Sequence, residues 1–288
     1  MDSSELIKKV RKIEIRTKAL SQQIFSGQYH SAFKGLGMAF SEVREYGYGD
    51  DIRFIDWNVT ARFHRPYVKI FEEERELTVM LLIDVSGSNL FGTHKSLKSD
   101  LITELAGILS FSAIYNNDKV GVIFFSDKVE KFIPPKKGRS HILRIIRELV
   151  GYEPSCSRTD ISESLRYLTN VIKKKCTAFL ISDFLNSDFE QALRIAANKH
   201  DIVALHVMDK GEEKLPALGL MELVDPETGQ YVVADTSSNI VRKKYGEWWR
   251  EIHRKNDEIF KKAGVDAAHL YTDEDYVKQL TALFQRRS

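Results

Sequence analysis

The stretch Leu81-Leu82-Ile83-Asp84-Val85-Ser86-Gly87-Ser88-Asn89 decides how this chain is read. Its aliphatic residues continue a run from Leu77 and read as a strand over 77–84, apolar enough to be buried on both faces. A carboxylate and two hydroxyls then leave the strand tip. Alternation along 84–88 turns Asp84, Ser86 and Ser88 the same way, and Gly87 lets the backbone turn tightly between them. All three offer hard oxygen donors, which suit Mg²⁺ or Mn²⁺ and serve a soft metal poorly. Much later, Thr159 and Asp183 supply the further oxygens that such a site needs.

Outward from that stretch, strand and helix patterns alternate. Strands are expected at 120–125, 128–133, 177–182, 202–207 and 265–271, and helices at 95–115, 141–150, 161–174, 188–198, 245–262 and 275–286. Capping boxes pair Asp160 with Glu163, Ser187 with Glu190 and Thr272 with Asp275. Short aliphatic strands between amphipathic helices predict an α/β fold, a doubly wound and mostly parallel sheet covered on both faces. Residues 216–238 interrupt the alternation, with Asp225-Pro226-Glu227-Thr228-Gly229 as a turn between two edge strands. Before the sheet region, 4–23 reads as an amphipathic helix that needs a surface to pack on. Residues 25–74 are glycine-punctuated and irregular, partly β as two short hairpins, with no helical period. The expected division is an N-terminal extension over 1–75 and a sheet domain over 76–288.

Composition narrows the function classes. With 43% hydrophobic residues in a chain of 288, a sizeable core can form, and a net charge of +2 supplies no whole-chain attraction to nucleic acid. The two cysteines, Cys156 and Cys176, have no metal-ligand spacing and suggest no disulfide framework. No apolar stretch reaches membrane-spanning length, and the charged N-terminus lacks a signal-peptide core, so a cytoplasmic protein without a transmembrane segment is expected.

In an open parallel sheet, ligands bind beyond the carboxyl ends of the strands. Asp84 and Asp183 each directly follow an aliphatic strand, and Thr159 precedes a helix. If the two strands are neighbours, three loops converge. Asp and Ser are common after strands as caps and turns, and Asp-x-Ser-x-Ser alone arises by chance in about one chain in ten of this size. The ordered combination with Thr159 and Asp183 is what favours a metal site.

Other chemistries fit less well. Gly87 and Gly92 are spaced as in a phosphate-binding loop, but Lys95 falls two positions too late. A Mg-dependent phosphohydrolase using Asp84 is the enzymatic alternative; it lacks a second acid two residues on, where Ser86 stands, and no catalytic base is evident. The eight histidines show no zinc spacing. The basic clusters at 136–139 and 242–244 read as solvated faces. Between Arg44 and Arg62, alternating Arg, Asp and aromatics fit either internal Arg–Asp pairs or a partner surface. Of the adjacent Trp248 and Trp249, one is expected in the core and the other at an interface with the N-terminal segment.

The pattern of Asp84, Ser86, Ser88, Thr159 and Asp183 resembles the metal-ion-dependent adhesion site of von Willebrand factor A domains, over 77–284. The preceding segment resembles the characteristic region of bacterial DUF58 proteins, with Gly35, Gly37, Arg44, Tyr46, Gly49, Asp50, Asp51, Arg53, Asp56, Trp57, Ala61 and Arg62 in the family's order. Many relatives carry transmembrane segments ahead of this region, and none is read here. The resemblance implies a von Willebrand A-like sheet whose Ser86, Ser88 and Thr159 ligate Mg²⁺ or Mn²⁺ directly. Asp84 and Asp183 would bind it directly or through water, with one position left open. A cation held mainly by neutral hydroxyls keeps much of its charge, so an acidic side chain of a partner protein would complete the shell. The family association implies a MoxR-class AAA+ ATPase or its client as that partner, and an adaptor rather than an enzyme.

Overall fold

The computed structural model describes residues 3–25, 39–72, 77–92, 97–152, 158–185, 188–224 and 230–287. They fall into two compact units, Met1–Phe33 with Thr78–Ser288, and Lys34–Leu77. The apolar period of the N-terminus is realised as helix α1 (Ser3–Phe25). It does not join the segment that follows it, as the expected extension over 1–75 had it, but packs within the larger unit.

The smaller unit is built on an antiparallel pair, β1 (Ala39–Glu45) and β2 (Tyr67–Glu72). Between them lie a 3₁₀ turn at Ile52–Phe54 and a short helix, α2 (Trp57–Phe63), in a region where no helix was expected. Seven residues cannot display an amphipathic period; the signal was the cap. The Asp56 carboxylate accepts from the amides of Asn58 and Val59 at 3.0 and 3.2 Å, and His64 ends the helix at φ +55°. Arg44 grips Asp50 through two bonds of 2.8 and 2.7 Å, and Arg53 pairs with Asp51. Internal pairing therefore accounts for much of the Arg–Asp alternation, although Trp57 remains exposed.

The larger unit contains a six-stranded sheet. In chain order its elements are β3 (Thr78–Asp84), α3 (Lys98–Tyr115), β4 (Lys119–Phe125), β5 (Val129–Lys136), α4 (Arg139–Val150), α5 (Ile161–Val171), β6 (Thr177–Ser182), α6 (Glu190–Lys199) and β7 (Asp201–Met208). A hairpin follows, β8 (Leu220–Val224) and β9 (Tyr231–Asp235), then α7 (Asn239–Ala263), β10 (Asp266–Tyr271) and α8 (Tyr276–Arg287). The sheet order is β10-β7-β6-β3-β4-β5, parallel except for β5. This is the expected α/β fold, a mostly parallel sheet flanked by helices. The chain leaves β3 toward β4 and β5, then returns to lay β6, β7 and β10 on the opposite side. The winding reverses between β3 and β6, and at such a seam diverging loops leave a crevice at the carboxyl edge.

β5 tolerates Pro134 and Pro135 because it is an edge strand. β8 and β9 pair only with each other and are not edges of the main sheet; the turn at 225–229 lies outside the described residues. Helices α5, α6 and α7 share a core with one face of the sheet through Leu165, Leu193 and Phe260. On the other face α3 is buried nearly all round, because α1 covers its outer side. Thr17 of α1 lies over Gly107, Arg16 pairs with Glu104, and Glu14 pairs with Arg139. Half of the expected capping box at Asp160 and Glu163 forms: the Asp160 carboxylate accepts from the Glu163 amide at 3.0 Å, while the Asp160 amide donates to the Ser126 carbonyl. Ser187 lies outside the described residues, and Thr272 does not cap: its hydroxyl donates to Asp209, while Asp275 accepts from the Val277 amide. Trp249 is buried and Trp248 half exposed, as expected of neighbours on one helix.

Two measurements probe this packing. A methyl added in Gly121→Ala would sit 2.7 Å from Met80 Sδ and 3.0 Å from the Ile133 carbonyl oxygen. A strand paired on both sides cannot retreat, so the variant should lose about 1–3 kcal/mol in urea unfolding; an unchanged midpoint would contradict the tight β4–β5 contact. His200 is buried with Nδ1 3.3 Å from Cys176 Sγ. Burial, helped by the charge of Lys199, pulls its pKa down to about 4. A depressed imidazole contributes stability above about pH 6.5 and loses it as pH falls toward the folded value. Between pH 7.5 and about 4.5, wild type should therefore lose stability relative to His200→Gln, whereas parallel curves would rule out burial of the neutral ring.

Candidate metal centre

Ile83 of β3 lies beside Ile181 of β6, so the next residues, Asp84 and Ser182, meet at the seam. Ser182 Oγ donates to Asp84 Oδ2 at 2.6 Å, and the Ser86 amide donates to Asp84 Oδ1 at 2.9 Å. The chain then closes into a 3₁₀ turn at Gly87–Leu90, which brings Ser86 Oγ and Ser88 Oγ to 3.0 Å. Asn89 Nδ2 reaches back to the Asp84 carbonyl at 3.0 Å and locks the turn.

Asp183 follows β6 at the same edge. Thr159 reaches that edge through β4: the Asp160 amide donates to the Ser126 carbonyl at 2.8 Å, and the Val85 amide donates to Phe125 at 2.9 Å. The loop carrying Thr159 and the loop carrying Ser86 thus hang from adjacent residues at one strand end. All five expected residues are buried there, with Asp84 only 1% exposed.

Sequence reasoning missed the group that dominates the electrostatics. Lys98, the first residue of α3, has a fully buried side chain. Its Nζ donates to Asp183 Oδ2 at 2.9 Å and to Glu212 Oε1 at 2.7 Å. Burial pushes the Lys98 pKa down, but Asp183 and Glu212 outweigh it and leave the ammonium favoured. Burial raises the Glu212 carboxyl even against that ammonium. Asp84 is pushed up to about 7, first by burial and then by the charge of Asp183. Lys98 thus bridges two acids, Asp183 and Glu212, while Asp84 is held by Ser182 and the Ser86 amide.

The backbone around Asp183 is held from behind. The Asp183 carbonyl can only accept, so His206 Nε2, at 2.9 Å, carries the proton there. Burial, followed by the charges of His253 and His269, keeps His206 neutral. Phe184 sits at φ +50°, a left-handed conformation that costs a bulky residue about 1–2 kcal/mol. Ser182 Oγ accepts its amide, Asn256 donates to its carbonyl at 2.8 Å, and its ring packs against Phe189 and Phe260. Ser182 was visible in the sequence as the residue before Asp183 and Asn89 as the one after Ser88. Lys98, Glu212 and His206 carried no local signal.

The donor set fits a small hard cation. Octahedral Mg²⁺ with bonds of about 2.0–2.1 Å sets adjacent ligand oxygens about 3 Å apart, and the Ser86 and Ser88 hydroxyls stand at 3.0 Å. Among the described residues no three His, Cys, Asp or Glu side chains converge on one point, so a cation here would rest on carboxylates plus hydroxyls. The Lys95–Ser96 part of the phosphate-loop reading lies outside the described residues, as does Cys156.

Comparison with known proteins adds lineage. The uncharacterized proteins Rv1480 of Mycobacterium tuberculosis and Mb1516 of Mycobacterium bovis are each 29% identical over 232 residues, covering 80% of this chain and 73% of theirs. Among solved structures, the hypothetical protein BatB of Bacteroides thetaiotaomicron is 16% identical with a TM-score of 0.43, covering 73% of this chain and 98% of its own. The SpRpn10 VWA domain is 10% identical with a TM-score of 0.41, covering 73% and 94%. The fold assignment rests on sheet order and strand direction, not on these likenesses. A family model described as a protein of unknown function, DUF58, matches residues 42–255, running from β1 through most of α7. The chain belongs to the DUF58 family.

Proposed function

We propose that the seam between β3 and β6 binds Mg²⁺ or Mn²⁺ and presents it to an acidic side chain of a partner protein. The carrying observation is the pair of buried carboxylates, Asp84 and Asp183, beside hydroxyls spaced for a small octahedral cation, with the Lys98 ammonium on Asp183 and none shown on Asp84. Buried anions without full compensation are costly, and a divalent ion would offset that cost. Ser86, Ser88 and Thr159 would hold the ion directly, with Asp84 and Asp183 binding it or its waters. When bound, it supplies a positive centre for an incoming carboxylate.

The protein's own groups prepare that centre. Ser182 and the Ser86 amide orient Asp84, His206 fixes the Asp183 backbone, and Asn89 keeps the hydroxyl-bearing turn closed. The reading is of an adaptor and not a catalyst, working with a MoxR-class AAA+ ATPase or its client in the cytoplasm. Among the described residues no helix is long and apolar enough to cross a membrane.

Mn²⁺ titration followed by electron paramagnetic resonance should show one bound ion, with affinity lowered about tenfold or more in Asp84→Asn and in Ser86→Ala; equal binding by all three would exclude this site. A purified MoxR-class ATPase should form a complex with this protein in Mg²⁺ that dissociates in EDTA and fails with Asp84→Ala. A complex indifferent to both would refute the metal-bridged contact. Turnover of a simple phosphoester that disappears in Asp84→Asn would instead favour a phosphohydrolase.

A further inference from the structure

We infer that Lys98 is an internal competitor for the metal: its ammonium holds Asp183 in the metal-free protein and sets the affinity of the site by yielding that carboxylate to an incoming cation. The inference rests on the metal reading proposed above. A buried side chain at the first residue of α3, donating at 2.9 Å to Asp183 and 2.7 Å to Glu212, is a built feature and not a surface pairing. α3 is anchored at that point, because the Lys98 amide donates to the Phe91 carbonyl at 3.0 Å.

Glu212 gives the lysine somewhere to go. It lies on the 3₁₀ turn Lys210–Glu212 after β7, and its Oε2 also accepts from the Asp209 amide at 3.3 Å. Its carbonyl receives the Tyr245 hydroxyl at 2.8 Å. Glu212 is therefore fixed independently of Asp183 and retains the ammonium when Asp183 turns to a cation. With Lys98 present, an incoming cation has to compete with the ammonium for the Asp183 carboxylate. Without the ammonium, the cation meets Asp183 with no competitor and no repelling charge beside it.

The two ends of the bridge consequently act in opposite directions. Lys98→Met removes the competitor and should tighten Mn²⁺ binding about tenfold or more, while lowering thermal stability in EDTA and recovering it in Mg²⁺. Glu212→Gln commits the ammonium to Asp183 and should weaken Mn²⁺ binding about tenfold while keeping the side-chain shape. Calorimetric titration of Mn²⁺ into both variants and wild type, with circular dichroism to check folding, reads the effect. Opposite shifts support the competition. Unchanged affinity in Glu212→Gln, or weakening in a folded Lys98→Met, overturns it while leaving wild-type metal binding intact. If wild type and both variants all fail to bind, the metal reading falls and this inference with it. Should Lys98→Met fail to fold, Glu212→Gln decides the question alone.

Discussion

Burying two carboxylates side by side at the seam of the sheet is the constraint from which the site's architecture follows. Asp84 and Asp183 lie at the ends of neighbouring strands, where mutual repulsion and loss of water both oppose ionisation. The chain answers with donors on each side: Ser182 and the Ser86 amide for Asp84, and the Lys98 ammonium for Asp183. Breaking a buried charge pair from one side costs about 3–5 kcal/mol in proteins generally. The start of α3, the turn at Lys210–Glu212 and the strained backbone at Phe184 are thus tied to one electrostatic requirement.

The layering of the larger unit supports that arrangement. α3 delivers Lys98 to the seam from a helix buried on most of its surface, and it can be so apolar because α1 covers its outer face. Thr17 over Gly107 allows close approach, and Glu104 receives both Arg16 and the Tyr276 hydroxyl, tying α1, α3 and α8 together. On the opposite face, α7 contributes Asn256 to the Phe184 carbonyl and His253 to the imidazoles around His206. The seam is held from both helical layers.

Several features were legible in the sequence. The strand ending in Asp84, the return of a carboxylate at Asp183, and Thr159 ahead of a capped helix are local patterns in which residue order carries the spatial relation. The smaller unit was less legible. Its helix at Trp57–Phe63 is too short for a period, and its charged residues fitted internal pairs and a binding face equally well until Arg44 was found on Asp50 and Arg53 on Asp51. Thr272 illustrates a competition that local pattern cannot settle: its hydroxyl had a helix amide within its expected reach but found Asp209 across the fold.

By itself the sequence determined that strands and helices alternate and that the sheet is mostly parallel, because each depends on periodicity or on residues adjacent along the chain. Only the tertiary structure decided that α1 belongs with the sheet, that β8 and β9 stand apart from it, and that a lysine sits among the acids. Lys98 is separated from Asp183 by 85 positions and from Glu212 by 114. A contact over such distances is selected by the winding of the sheet and the exclusion of water, and nothing in the neighbouring residues announces it.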